Sequence, residues 1–147
     1  MKILVSILLG FLSLMSQNNS TERYTLTVIT ENLKNSKGSV VFLLYNTEGS
    51  LPDEKLIRYF KKKTTAIDDN RARITFKNLL KGQYAIMVFH DENNNGEIDR
   101  KFMLPLPKEG VGFSNYDDFG LSNRPNFKDA SFSLNKDKTF VVKVIYK

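Results

Sequence analysis

Oxygen-bearing side chains recur at alternate positions of one short polar segment, and a glycine, Gly96, interrupts it. This spacing is typical of loops that wrap a calcium ion, because a hard divalent cation takes about six to eight oxygen ligands and a tight turn lets them converge. The predicted ligands are Asp91, Asn93, Asn95, Glu97 through its carbonyl, and Asp99. The segment therefore predicts a cofactor, Ca²⁺, but no catalytic activity.

The loop departs from the EF-hand pattern at its last ligand position, where Phe102 replaces the expected glutamate. Few formal charges among the ligands predict weak binding, with a dissociation constant of about 10⁻⁴ to 10⁻³ M. Further oxygens could come from Glu109, Asp117 or Asp118. The alternative is a plain turn at Gly96, in which Asn and Asp side chains bond to their own backbone.

The start of the chain has the features of a secretory leader. Lys2 precedes an apolar run, residues 3–15, which is long enough for a signal peptide and too short to cross a bilayer comfortably as a helix. We predict a cleaved signal peptide over residues 1–16, a disordered segment over 17–23, and one domain over 24–147. The protein is then exported to the periplasm, the outer surface or the medium, without a transmembrane span; an uncleaved anchor is the alternative.

Composition narrows the classes of partner. The chain has no cysteine, which excludes a lipoprotein anchor, a disulfide framework and a cysteine zinc site. Its formal net charge is +6, with one basic cluster at residues 61–63. Export argues against nucleic acid, so we expect an unknown protein or glycan partner, although lysines also protect a strand edge from unwanted pairing.

Apolar and polar residues alternate along most of the remaining chain, which is typical of β-strands with one buried face. Two segments, 38–45 and 83–89, are apolar on both faces and are predicted to be central strands. The predicted fold class is all-β: a two-sheet antiparallel β-sandwich of about seven strands. The alternating segments are Tyr24 to Val28, Ala72 to Phe76, Ala130 to Leu134 and Phe140 to Tyr146.

Two regions lack this alternation. Residues 51–60 are ambiguous: Asp53 could cap one short helix that carries Leu56, Ile57 and Phe60, before a strand over 61–67. The segment from His90 to Asp129 is far longer than the usual limit of about 12–15 residues for a structureless loop. We expect it to be an ordered excursion that covers the second face of the central strands. Exposed candidates for recognition within it are Tyr116, Phe119 and Arg124.

A catalytic alternative depends on the only histidine, His90. A periplasmic hydrolase would combine it with Glu109 and Ser114, whose side chains would have to meet in one concave pocket. A relay from His90 to Asp91 is unfavourable, because adjacent strand residues point to opposite faces. Ser114 also lacks the second glycine of a nucleophile elbow. We therefore predict a module that is not an enzyme.

Five motifs follow one another along the chain: Phe76-Lys77-Asn78-Leu79, Gly82-Gln83-Tyr84-Ala85-Ile86, His90 to Gly96, Glu109 to Asn115, and Pro125 to Ala130. Together they resemble the bacterial exported proteins catalogued as domain of unknown function 2141 (DUF2141). The resemblance covers nearly the whole chain after the leader, and it implies a small exported β-sandwich, similar in shape to transthyretin-like, Ig-like and carboxypeptidase-regulatory-like modules. The family brings no established activity.

Overall fold

The computed structural model describes residues 21–101 and 106–147. The predicted signal peptide lies outside these residues, as do Phe102 and most of the segment predicted to be disordered. Arg23, the last residue of that segment, already belongs to a strand. Within the described part of the chain, no helix combines the length and apolar character that a membrane span requires.

The described residues contain eight strands and one short helix. They form a three-stranded and a five-stranded sheet, as predicted for an all-β sandwich. The paired strands run antiparallel except for the first and last, which are parallel. The elements are β1 (Arg23–Glu31), β2 (Ser39–Tyr45), β3 (Lys61–Ala66), β4 (Ala72–Leu80), β5 (Gly82–Asp91), β6 (Val111–Phe113), α1 (Phe127–Ala130), β7 (Phe132–Leu134) and β8 (Lys138–Lys143).

The sheet orders place β2 and β5 at the centre of the domain. The three-stranded sheet has the order β4-β1-β8; the five-stranded sheet has the order β3-β2-β5-β6, with β7 paired to the start of β5. Every residue of β2 after its first is buried, and so is all of β5 after Gln83. The prediction of two central strands covered on both sides is thus confirmed.

The two faces of these central strands pack against different parts of the chain. Phe42 and Val88 belong to the core between the sheets, whereas Val41 and Phe89 belong to a second core on the outer side. The long segment after His90 supplies this outer cover, as the sequence predicted, and it contains β6 and α1. Burying each large apolar side chain contributes about 1.5–3 kcal/mol. Val111 and Phe113 of β6 extend the outer face of the sheet beside Phe89 and Met87, and the cover over that face consists mainly of Phe119, Phe127 and Ala130.

The short helix considered for residues 51–60 does not form; the segment consists of turns and bends. Asp53 does accept backbone N–H groups, from Ile57 at 3.1 Å and Arg58 at 2.8 Å, but these close a turn. Leu56 has a φ of 52°, a left-handed conformation that a right-handed helix cannot include. The Tyr45 hydroxyl donates to the same carboxylate at 3.2 Å, so the turn is fixed by tertiary packing. The strand that follows, β3, is confirmed.

The two ends of the connection from β5 to β6, which is the first part of the long segment, are held close together. The N–H of His90, near the end of β5, donates to the carbonyl of Gly110 at 2.8 Å. Val111 and Ile145 exchange two backbone hydrogen bonds of 2.9 and 2.8 Å, which join β6 to the segment after β8. These bonds place Asp91 and Glu109 beside one another, although 18 positions separate them in the sequence.

Candidate functional site

Asp91 forms the inner wall of the acidic loop. It is the last residue of β5, and its side chain lies on the outer face of the sheet with only 2% of the residue exposed. Its two carboxylate oxygens accept the backbone N–H groups of Asn95 at 3.0 Å and Gly96 at 2.8 Å. Gly96 has a φ of +77°, which a side chain would disfavour, so the turn depends on glycine.

The other predicted ligands gather around Asp99. Its carboxylate accepts the side-chain amides of Asn93 at 2.9 Å and Asn95 at 3.0 Å. The amide oxygens of these two asparagines accept the backbone N–H groups of Asn95 and Glu97, respectively. The side chains of Asp91, Asn93, Asn95 and Asp99 therefore belong to one connected network, and Glu97 contributes its backbone only.

Glu109, which lies two residues before β6, completes this network. It is 4% exposed, and it accepts the N–H groups of Glu92 at 3.0 Å and Asp99 at 3.2 Å. Burial raises the pKa of Glu109 above its usual 4.5, and the negative charges of Asp99 and Asp91 raise it further, while the two N–H bonds oppose the shift. Three carboxylates thus lie close together.

Asp117 and Asp118, the other suggested sources of oxygen, are directed elsewhere. Asp118 pairs with Lys147, and the backbone carbonyl of Asp117 accepts the side chain of Lys143. The Lys147 hydrogen bond lowers the pKa of Asp118. Neither residue contacts the acidic loop through a hydrogen bond in the described part of the structure. Glu109 is therefore the suggested extra oxygen donor that the fold brings to the loop.

The hydrogen bonds of the loop are those of an Asx-stabilised turn. The amide nitrogens of Asn93 and Asn95 are directed toward Asp99, so a cation would require both amides to rotate. No three histidine or acidic side chains among the described residues are grouped as metal ligands. A cation here would therefore depend partly on amide and backbone oxygens, and Ca²⁺ binding stays a prediction.

His90 is buried between the two sheets, away from the loop. Its Nε2 lies 2.7 Å from the carbonyl of Lys37 and its Nδ1 lies 2.7 Å from the hydroxyl of Tyr146. Because a carbonyl only accepts, Nε2 must carry the proton and Nδ1 accepts from Tyr146. The sequence did not identify Tyr146 as this partner, although the C-terminal alternation places it on the same face as Val142 and Val144.

The three side chains of the hydrolase alternative do not meet. Ser114 is fully buried; its Oγ accepts the N–H of Ile86 at 2.8 Å and donates to the carbonyl of Ala130 at 2.6 Å. His90 bonds to Lys37 and Tyr146, whereas Glu109 bonds to the acidic loop. These three sets of partners have no residue in common, so the geometry gives the hydrolase alternative no support.

The recognition residues suggested by sequence are only partly exposed. Phe119 is 9% exposed and packs edge-on against Phe113, with ring centroids 5.2 Å apart, so it belongs to the outer core. Tyr116 is half-buried, and its hydroxyl accepts the N–H of Asn126 at 3.3 Å. Arg124 is exposed and pairs with Glu54 at 2.8 Å. The expectation of an exposed Phe119 is therefore wrong.

Fold and loop together define a small two-sheet β-sandwich whose longest connection begins and ends at a buried carboxylate. The chain belongs to the DUF2141 family, described as an uncharacterized protein conserved in bacteria, whose model matches residues 28–142. The resemblance inferred from the sequence motifs is thereby confirmed. No curated protein and no solved structure matches the chain.

Proposed function

We propose that this protein is an exported, non-catalytic β-sandwich module that binds Ca²⁺ in its acidic loop and a protein or glycan partner at its surface. One observation carries the calcium part. Glu109 bonds to the backbone of the loop that carries Asp91 and Asp99, two of these three carboxylates are almost fully buried, and none of the four ion pairs among the described residues involves them. Buried carboxylates are usually paired with a cation or bound to a metal.

A cation would act mainly on the stability of the long segment. It would relieve the repulsion among the three carboxylates, which come from the end of β5, from the loop and from the residue two positions before β6. The two asparagine amides would have to rotate and give up their present hydrogen bonds. This rearrangement costs free energy, which fits the weak affinity that the ligand types predict.

The partner is proposed from export and from the exposed surface. The apolar run near the start of the chain supports export. Leu121, in the long segment, is 66% exposed, and β3 presents Lys61, Lys62 and Lys63 at the edge of the five-stranded sheet. An acidic protein or an anionic glycan would complement this charge. The mass of the product recovered outside the cytoplasm tests export and leader cleavage.

Thermal unfolding with and without calcium tests the ion site. If Ca²⁺ binds only the folded protein, about a tenfold excess over the dissociation constant, which is about 1–10 mM here, adds about 1.4 kcal/mol of stability. The melting temperature should therefore rise with millimolar CaCl₂ and return to its starting value in excess chelator. Replacing both Asp91 and Asp99 by alanine should abolish the rise. The same melting temperature in calcium and in chelator would refute calcium binding and leave the Asx turn.

A conservative substitution separates the loss of calcium binding from the loss of the fold. Asp99→Asn removes the charge and keeps a side chain of the same shape, so the folded protein should persist while its response to calcium falls. Asp69→Asn is the matched control: Asp69 lies in the exposed turn before β4 with a φ of 46°, a conformation that asparagine tolerates. A full calcium response in Asp99→Asn would contradict the assignment of Asp99 as a ligand.

A further inference from the structure

A cavity of about 260 Å³ opens on the outer side of the five-stranded sheet. Met87 of β5 forms part of its floor, together with Val111 and Phe113 of β6. Ile98 and Phe119, both from the long segment, add apolar walls. The cavity is thus an apolar hollow in a surface that otherwise carries many charges.

Two carboxylates and two guanidiniums line this cavity, but only one pair of them is matched within it. Glu54 pairs with Arg124 at 2.8 Å, whereas the Asp53 carboxylate accepts two backbone N–H groups and the Tyr45 hydroxyl and pairs with Arg58, which lies outside the cavity, at 3.7 Å. Arg100 also lines the cavity, and it forms no ion pair or side-chain hydrogen bond with residues 21–101 or 106–147. One guanidinium at the cavity therefore has no carboxylate partner within the described chain.

We propose that this cavity binds a small amphipathic carboxylate, with its apolar body on the Met87 floor and its carboxylate at Arg100. Burial of the apolar body supplies the hydrophobic contribution, and the planar guanidinium matches a carboxylate with two parallel hydrogen bonds. The volume lies just below the range of about 300–1,000 Å³ of pockets for drug-sized ligands, so the ligand is small. This proposal goes beyond the calcium site and does not depend on it.

Titration of the ¹⁵N-labelled protein with octanoate tests the proposal. Octanoate should produce saturable amide shifts at Met87, Val111 and Phe113. Octan-1-ol, which has the apolar body without the charge, should bind about tenfold more weakly, and acetate, which has the charge without the body, should give no saturable shift. The titration is run in chelator, so that loss of the calcium site cannot be mistaken for loss of this one.

Three variants separate the charge from the fold. Arg100→Gln should weaken octanoate binding about tenfold and leave octan-1-ol binding unchanged. Lys101→Gln is the matched control, because Lys101 is the next residue and does not line the cavity. Glu54→Gln should strengthen octanoate binding, because Arg124 then loses its charged partner and adds a second available guanidinium.

Four results would overturn the proposal. Octanoate could cause no saturable shift, or its shifts could lie away from the Met87 floor. Octan-1-ol could bind as tightly as octanoate, which would make the cavity merely apolar. Arg100→Gln could bind octanoate as tightly as the wild type, which would place the carboxylate elsewhere.

Discussion

The buried carboxylate of Glu109 accepts the backbone N–H of Asp99 at 3.2 Å. Its second oxygen accepts the N–H of Glu92 at 3.0 Å, so one side chain holds both ends of the acidic loop. The arrangement brings a third negative charge beside Asp91 and Asp99. Burial and the neighbouring carboxylates disfavour the charged form of Glu109, whereas the two hydrogen bonds favour it. The pKa of Glu109 is raised, which means that burial and the neighbouring charges outweigh the hydrogen bonds.

The raised pKa of Glu109 predicts a specific pH dependence of stability in chelator. The folded state holds this proton more tightly than the unfolded state, whose pKa is near 4.5. The contribution of Glu109 to the free energy of unfolding should therefore fall as pH rises from about 4.5 through the raised pKa. Glu109→Gln removes this titration, so the stability of the wild type relative to the variant should decrease with pH over that window. Urea unfolding at several pH values measures it, and parallel curves for the two proteins would contradict it.

The sequence predicted the central strands well, because their signal is local. Apolar residues on both faces of β2 and β5 required cover on both sides, and the long segment supplies it. Residues 51–60 were ambiguous because an aspartate can accept backbone N–H groups either as a helix cap or within a buried turn. Here Asp53 closes a turn, which the Tyr45 hydroxyl stabilises from another part of the chain. Short-range spacing cannot identify such a contact.

The sequence likewise predicted only part of the candidate site. Asp91, Asn93, Asn95 and Asp99 come together because they are close in sequence around one turn. Glu109 was only one of three acidic residues that the sequence suggested as additional donors, because selecting it requires knowing that Gly110 pairs with His90. The burial of Phe119 likewise depends on the sheet beneath it, which no local pattern specifies.

Ser114 should act as a structural link between β5 and the end of α1. Its hydroxyl accepts the N–H of Ile86 and donates to the carbonyl of Ala130, both in the interior. Ser114→Ala leaves a buried N–H without this acceptor, which should cost about 1–3 kcal/mol of stability in urea unfolding. The control is Ser131→Ala, whose hydroxyl bonds to Lys128 near the surface and whose loss should cost about 0.5 kcal/mol or less. Equal losses would contradict the structural role.

Gly112 should tolerate no side chain, because β6 approaches the C-terminal strand closely there. A Cβ at this position would overlap the carbonyl oxygen of Lys143 and lie 3.0 Å from a methyl group of Val142. Gly112→Ala should therefore destabilise the protein by about 1–3 kcal/mol in thermal or urea unfolding. Gly120→Ala is the matched control, since nothing lies within 4 Å of a Cβ there. A Gly112 variant as stable as the control would show that β6 does not pack this closely.

The hydroxyl of Tyr146 should fix both the proton position of His90 and the end of the chain. It donates to Nδ1 of His90 at 2.7 Å and accepts the N–H of Lys34 at 3.1 Å, while Nε2 of His90 donates to Lys37. Tyr146→Phe keeps the ring but leaves Nδ1 without a donor in the interior, so the free energy of unfolding should fall by about 1–3 kcal/mol.

A second measurement on this variant separates the histidine contact from general packing. The ¹⁵N shifts of the His90 ring should show a proton on Nε2 in the wild type, and the Nδ1 shift should change in Tyr146→Phe because that nitrogen loses its donor. Tyr59→Phe is the control, because Tyr59 is 37% exposed and its hydroxyl forms no hydrogen bond with the described residues. A wild-type ring protonated at Nδ1 alone would contradict the assignment, since the Lys37 carbonyl would then have no donor.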